Sequence, residues 1–352
     1  MEFIFYSQKE ISHLTRKRKG ETKLGEKVQT IHPVIDLYSQ LQNCNSKFVL
    51  FGIPEDIGVR ANLGRGGAHT CWQPSLESFL NTQDNAFLNG EETCVLGHVK
   101  VEDVMKESEG FSQKKEEDIL GLRKLVEKID DRVCEIVRII VSAGKIPIVI
   151  GGGHNNSYPI LKGIYESRRI GNIGEIQKQA VINCDAHSDL REKEGRHSGN
   201  GFSYAMLEKY LDKYAVMGIH ESYNSENVIE KFQNEPEKLL YVSYEDIFIR
   251  EKYSFSEAVN RGIEFCGSMA TGLEIDLDSI TNVPSSARTS SGISPVQARQ
   301  YIHQAATKCN ISYLHIAEGA PVLAHLKADN KTGKLVAYLI SDFIKAIMGK
   351  RP

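Results

Sequence analysis

The stretch that most restricts what this chain can fold into is Ala180-Val-Ile-Asn-Cys-Asp-Ala-His-Ser-Asp-Leu-Arg191. Val181 to Cys184 is a short apolar run of the kind that forms a buried parallel strand. It runs straight into Asp185, His187 and Asp189, three potential metal ligands at alternate positions. At the carboxyl end of a strand in an open α/β sheet, such groups point into the crevice where ligands bind. Extended backbone would place all three on one side. A competing reading makes Asp185 or Asp189 the cap of a following helix and His187 an ordinary loop residue. Two other stretches bear on the choice.

The first is Gly151-Gly-Gly-His154, directly after the apolar run Ile146–Ile150. Glycines here let the backbone turn sharply and approach a ligand closely. The turn lacks the Gly-Lys-Ser/Thr ending of a phosphate loop and the Gly-x-Gly-x-x-Gly spacing of a dinucleotide site. It delivers an imidazole instead, which taken alone would as readily be structural. The second is Thr271-Gly-Leu-Glu-Ile-Asp-Leu-Asp278, where Asp276 and Asp278 share a strand face and Glu274 lies on it one step deeper. Acidic side chains on a buried strand are costly unless a cation or hydrogen bonds compensate them.

Three strand ends thus each supply ligand-type groups, and coincidence becomes the weaker account. Four carboxylates and two imidazoles exceed what one closed tetrahedral zinc needs. They suit two divalent ions about 3.5–4 Å apart, bridged by carboxylates and a water. Oxygen-rich ligation without thiolate favours Mn²⁺, with Zn²⁺, Fe²⁺ and Ni²⁺ also compatible. Such ions lower the pKa of the shared water and supply hydroxide near neutral pH, which points to hydrolysis.

Around these stretches the pattern is α/β. Strands are expected at Lys47–Gly52, Thr93–Gly97, Ile146–Ile150, Ala180–Cys184, Tyr214–Ile219, Leu239–Val242, Leu273–Leu277 and Ser312–Ile316. Apolar residues from Ile119 to Ile140 recur at helical spacing, predicting a long amphipathic helix over Glu117–Ala143 with Gly144 as its C-cap. Further helices are expected at Ser75–Leu80, Ser157–Tyr165, Phe202–Leu211, Ser225–Phe232, Pro295–Thr307 and Leu335–Ile347. Alternation of strands and helices implies a mainly parallel sheet covered on both faces. The polar loop Ile53–Ala68 is long for a βα connection, and long loops in compact domains are often functional. Residues 1–45 show no clear hydrophobic period and read as an N-terminal extension. Residues 46–352 read as one α/β domain, and 100–115 as charged and exposed.

Composition removes several classes of function. A net charge of −3 and a pI near 6.4 give no electrostatic case for nucleic acid or an anionic membrane. The basic run Arg16–Lys19 is short and is followed by Glu21 and Glu26, as on a solvated surface. No apolar stretch approaches the roughly 20 residues needed to span a bilayer, and Met1–Tyr6 lacks the features of a secretory signal. The seven cysteines are scattered, odd in number and never in a C-x-x-C arrangement. That fits a reducing cytoplasm rather than a disulfide framework or a thiolate zinc site.

Gly-Gly-Gly-His154, Asp185-Ala-His187-Ser-Asp189 and Asp276-Leu-Asp278, in this order, resemble the ureohydrolase family: arginases, agmatinases, guanidino-acid hydrolases and formimidoylglutamases. The resemblance runs from about Phe48 to about Leu323. It implies an arginase-like, three-layer αβα domain with a mostly parallel eight-stranded sheet, two Mn²⁺ ions, and a trimer or hexamer. It implies that His154, Asp185, Asp189 and Asp276 hold one metal. His187, Asp185, Asp276 and Asp278 would hold the other, with Asp185 and Asp276 bridging. Asp189 would also contact the bridging hydroxide and pass its proton to the leaving amine. Glu318, in Ala317-Glu-Gly-Ala-Pro321, falls where the family grips the amidinium or guanidinium of its substrate.

Three features are most similar to formimidoylglutamases: the loop Gly58–Arg65 with Gly67-Ala68, Leu190-Arg191 after the triplet, and Ser198-Gly-Asn-Gly-Phe202. Phe202 occupies the position of an arginase active-site His, and His197, one residue before the motif, is its candidate substitute. Asn200 is arginase-like. N-formimidoylglutamate carries two carboxylates, so its site should be cationic. Arg60, Arg65, Arg191 and Arg196 are the available arginines, and Ser198 and Asn200 join Arg60, Arg65 and Arg191 as candidate substrate contacts. The expected reaction is attack of metal-bridging hydroxide on the formimidoyl carbon, giving L-glutamate and formamide. An arginase or other guanidino hydrolase releasing urea is the alternative. A non-catalytic binding subunit is the third reading, which six intact ligand positions argue against. Asn155-Asn156 and residues 1–45 have no reading from sequence.

Overall fold

Nine strands form one sheet in the order β1-β3-β2-β4-β9-β8-β5-β6-β7 in this computed structural model, which describes residues 1–31, 36–171, 177–324 and 330–349. The strands are β1 Phe3–Phe5, β2 Phe48–Gly52, β3 Thr93–Val99, β4 Ile146–Ile150, β5 Gln179–Cys184, β6 Lys213–Ile219, β7 Leu239–Ser243, β8 Ala270–Asp276 and β9 Asn310–Ala317. From β2 to β9 every pairing is parallel, so the eight expected strands form one parallel sheet. Antiparallel pairing of β1 with β3 adds the ninth at the edge.

Side-chain alternation splits the core into two layers. Phe48, Leu50, Ile148, Ile150, Ile182 and Cys184 pack on one face with the helices Trp72–Leu80, Pro295–Lys308 and Lys331–Met348. Val49, Phe51, Val149 and Val181 pack on the other with Glu116–Ser142 and Ser157–Gly171. This is the three-layer αβα arrangement. The long helix buries Leu122, Leu125, Val126, Ile129, Val133, Ile136, Val137 and Ile140, the stripe legible in its spacing. Each such side chain contributes about 1.5–3 kcal/mol on burial.

The described residues among the first 45 are packed onto the sheet. Helix Gln8–Leu14 starts in a capping box between Ser7 and Glu10, and buries Ile11. Leu24 and Val28 enter the core, while residues 32–35 lie outside the described set. Pairing of β1 depends on Gly97: its φ is +132°, and a Cβ there would sit 1.9 Å from the Ile4 carbonyl oxygen. Residues 100–115 contain helix Glu102–Glu107 with Val104 buried, so this stretch is only partly the exposed segment its charge suggests. Helices Leu37–Asn43, Ile57–Ala61, Tyr244–Phe248 and Phe255–Cys266 had no expectation from sequence. Most are too short to display a period, and the last buries small residues such as Ala258, Gly262 and Cys266. All seven cysteines are free. No described helix is long and apolar enough to cross a membrane.

The strand order positions the site. The chain passes from β4 to β5 over a gap that β9 and β8 later fill, so β4, β9, β8 and β5 lie side by side at the centre. Their carboxyl ends meet at the reversal of strand order, where open α/β sheets form their ligand crevice.

Candidate metal centre

At the end of β4, Gly151 and Gly152 take φ of +86° and +75°, turning the chain so that His154 opens the short turn before helix Ser157–Gly171. A Cβ on Gly152 would meet Asn156 Nδ2 at 2.4 Å. The β5 end supplies Asp185, His187 and Asp189, and the β8 end Asp276 and Asp278. In each case the first Asp turns the chain by accepting from the backbone N–H two residues on: His187 to Asp185 Oδ1 at 2.7 Å, Asp278 to Asp276 Oδ1 at 2.7 Å. The side-chain oxygens left over point into a common pit.

The pit contains all six side chains singled out from sequence. Nδ1 of His154 lies 2.9 Å from Asp189 Oδ2, 3.1 Å from Asp185 Oδ2 and 3.4 Å from Asp276 Oδ2. Beside it, His187 Nδ1 lies 3.3 Å from Asp278 Oδ2 and 3.6 Å from Asp185 Oδ1. Two overlapping ligand groups result, His154–Asp185–Asp189–Asp276 and Asp185–His187–Asp278, joined through Asp185. Asp189 holds φ of +50°, an uncommon conformation for a non-glycine residue and the kind of strain that functional sites retain.

Electrostatics crowd the pit with negative charge. Burial and the charge of Asp185 push the Asp189 carboxyl up to about 6. Burial, Asp278 and Asp185 raise that of Asp276. Burial also opposes ionisation of Asp185, but hydrogen bonds from His154 and His187 outweigh it and hold its carboxyl low. Asp278 Oδ1 is buried without a hydrogen-bond partner. Buried, mutually repelling carboxylates with an unpaired oxygen and two imidazoles are a donor set that fits divalent cations.

Above the pit opens a cavity of about 560 Å³, whose floor includes His187, Asp189, Asp276, Asp278 and Glu318. Glu318 is buried at φ +64°. Its Oε1 accepts the His154 N–H at 3.0 Å, and burial, with the charges of Asp278 and Asp189 adding to it, pushes the carboxyl up to about 8. Arg191 and Ser198 line the wall. Arg191 donates to Asn62 Oδ1 at 2.9 Å, and Asn62 donates to Ser198 Oγ at 3.2 Å.

Other candidates stand elsewhere. Arg60 pairs with Asp56 at 3.2 Å and donates to the Ser108 carbonyl, bracing its own loop. Arg65 is exposed and donates to the Ser286 carbonyl. Arg196 is buried against Asp130 at 2.8 Å and lies over the Tyr158 ring at 4.4 Å. Asn200 sits behind the wall, bonding Glu192 and Gly195 carbonyls and accepting from Arg196 and the His197 N–H. His197 is fully buried; its Nδ1 accepts from the Gly199 N–H, and burial with nearby Arg123, Arg191 and Arg196 pushes it down to about 3. Among these residues, the sequence-based set of substrate contacts thus keeps only Arg191 and Ser198 on the cavity wall. Phe202 packs edge-on against the His154 ring at 5.3 Å, a backing rather than a lining residue.

Glu55 was not anticipated. Fully buried, it accepts from Gly153 N–H at 2.9 Å, Asn156 Nδ2 at 2.8 Å, Asn155 Nδ2 at 3.3 Å and Gly58 N–H at 3.1 Å. Asn155-Asn156 therefore exist to hold a carboxylate that ties the 53–68 loop to the glycine turn. No local pattern marks Glu55; the pair of amides, which had no reading from sequence, is the one signal that could have pointed to a buried acceptor.

Residues 46–345 match the arginase family, and the chain belongs to it. It is a ureohydrolase by family. Formimidoylglutamase of Macrococcus caseolyticus is 31% identical over 62% of this chain and 66% of its own length. That of Streptococcus pyogenes is 29% identical over 83% of this chain and 82% of its own. The solved formimidoylglutamase of Bacillus subtilis aligns with a TM-score of 0.72 at 16% identity, over 95% of this chain and 94% of that one. Trypanosoma cruzi formiminoglutamase, solved with Mn²⁺, gives 0.66 at 18%, over 94% and 100%. At such identities the two structures attest the fold.

Proposed function

We propose that this chain hydrolyses a linear amidine C–N bond at a two-metal centre, with N-formimidoyl-L-glutamate as substrate and L-glutamate and formamide as products. The observation that carries the reading is the convergence of His154, Asp185, His187, Asp189, Asp276 and Asp278 in one pit, four of them on the floor of the cavity above it. The names of the relatives support the substrate. Mn²⁺, found in the Trypanosoma protein, suits the oxygen-rich donors.

Two such ions, when bound, supply an acidified water and Lewis-acid stabilisation of developing charge. His154, Asp185, Asp189 and Asp276 would hold one, and His187, Asp185, Asp276 and Asp278 the other. The rest falls to the chain. Glu318, at the cavity floor, takes the cationic amidinium, whose charge favours the ionised carboxylate. Asp189 accepts a proton at its carboxylate and returns it to the departing glutamate nitrogen. Arg191 offers a bidentate fork to a substrate carboxylate, and Ser198 a hydroxyl.

A guanidino amino acid, releasing urea, is favoured by one feature. Arg191 is the single Lys or Arg among the described residues lining the cavity, and Glu192 and Glu194 stand beside it. That balance suits one carboxylate and an ammonium better than two carboxylates. We also propose residues 46–352 as the catalytic domain, a homo-oligomeric state, and the reducing cytoplasm as the compartment, the last supported by the free cysteines.

Protein purified with Mn²⁺ and offered formimidoylglutamate, arginine, agmatine and small guanidino acids should release formamide from the first. Asp185→Asn should abolish turnover and lower metal content. Urea from arginine would move the assignment to the second reading, and full activity in the metal-free variant would end both.

A further inference from the structure

Glu274 is fully buried on β8, a strand whose interior should exclude charge. Its carboxylate is nonetheless surrounded by donors. Tyr313 donates its hydroxyl to Oε1 at 2.6 Å, and His315 Nδ1 reaches Oε2 at 2.7 Å. Both come from β9, where the parallel register sets Glu274 beside His315 and Gly272 beside Tyr313. Backbone is fixed as well: the buried Tyr301 hydroxyl donates to the Glu274 and Ile182 carbonyls at 2.9 and 2.8 Å, tying β8 to β5. One approach remains. Glu274 Oε2 lies 3.3 Å from Nε2 of His154, in ion-pair range without the alignment of a hydrogen bond.

His154 has two ring nitrogens with different neighbours. Nδ1 faces Asp185, Asp189 and Asp276, while Nε2 faces Glu274. Phe202 stands edge-on to the same ring and limits its freedom. A metal-ligating imidazole commonly gives its second N–H to a carboxylate, which fixes the tautomer and ring orientation and raises ligand basicity. We propose that Glu274 is a positioning residue for the metal centre: anchored by Tyr313 and His315, it takes the Nε2 proton of His154 as a hydrogen bond and aims Nδ1 at the cation. This deepens the two-ion reading and rests on it. The line Tyr313/His315–Glu274–His154 then runs from the interior of the sheet to the pit, so three side chains that never touch substrate set the geometry of one ligand.

Mn²⁺ binding to the full chain by isothermal titration calorimetry tests it, with thermal melting of the chelator-treated protein recorded in parallel. Glu274→Gln keeps the shape and weakens the acceptor. Roughly 10–100-fold weaker Mn²⁺ binding is expected, with kcat recovering at saturating Mn²⁺. Glu274→Gln with unchanged Mn²⁺ affinity, whether or not its melting point falls, would overturn the proposal and leave the metal centre standing. Tyr313→Phe removes one anchor and should weaken Mn²⁺ binding by a smaller factor; if Glu274→Gln fails to fold, unchanged affinity in Tyr313→Phe overturns the proposal instead. A wild-type chain that binds no Mn²⁺ would sink both this and the two-ion reading.

Discussion

His197 and Arg196 show how a residue near a site can serve the protein alone. Both flank the motif Ser198–Phe202, yet Arg196 is taken up by Asp130, Asn155 and Asn200, and His197 by the turn at Gly199. The imidazole is kept neutral, its pKa pushed down to about 3 by burial and three neighbouring arginines. The sign follows. Above about pH 6.5, folded and unfolded His197 are both neutral and the full contribution is present. As pH falls from there towards 3, the unfolded chain takes a proton the folded one refuses, and stability is lost. Wild type should therefore lose melting temperature on acidification below about pH 6.5 more steeply than His197→Asn, whose amide keeps an acceptor for Gly199. Melting of the two chelator-treated proteins across pH 4.5–7.5 checks this, and parallel slopes would refute it.

Elements act here through their ends. β4 and β5 are largely apolar strands whose candidate ligands begin where pairing stops, while β8 also carries Glu274 and Asp276 within its paired length. The turn after β4 needs positive φ at Gly151 and Gly152, and the Glu55 carboxylate holds it by Gly153 N–H and the two amides. Edge strand β1 depends on a single glycine in the same way. Gly97→Ala would place a methyl against the Ile4 carbonyl at a φ of +132°. A loss of about 1–3 kcal/mol is expected from such strain, with faster amide exchange at Phe5 and Tyr6 than in the sheet centre. Unchanged melting and exchange would show that β1 does not need this contact.

For the whole molecule, six candidate ligand side chains from three segments far apart in sequence meet at one point. Anything that binds this point in the folded chain alone stabilises everything around it. Mn²⁺ at 100 times its dissociation constant should add about 2.7 kcal/mol, raising the melting temperature by several degrees, and EDTA should reverse it. A melting curve indifferent to both would leave the pit as a structural cluster of charges. The sheet and the six clustered side chains were legible from sequence because parallel strands are continuous apolar runs, and polar groups at their ends stand out against them. Local pattern alone determined these strands, the long helix and which six side chains are candidate ligands. Which loops approach one another was settled by the strand order, which sets β4, β9, β8 and β5 side by side. Arg60 is held locally by Asp56, four residues before it, whereas that order sank His197 and Asn200 behind the wall and set Glu55, Glu274 and Glu318 in buried roles. A side chain's type is written in the chain, but its partners depend on contacts between segments a hundred residues apart, which no local spacing encodes.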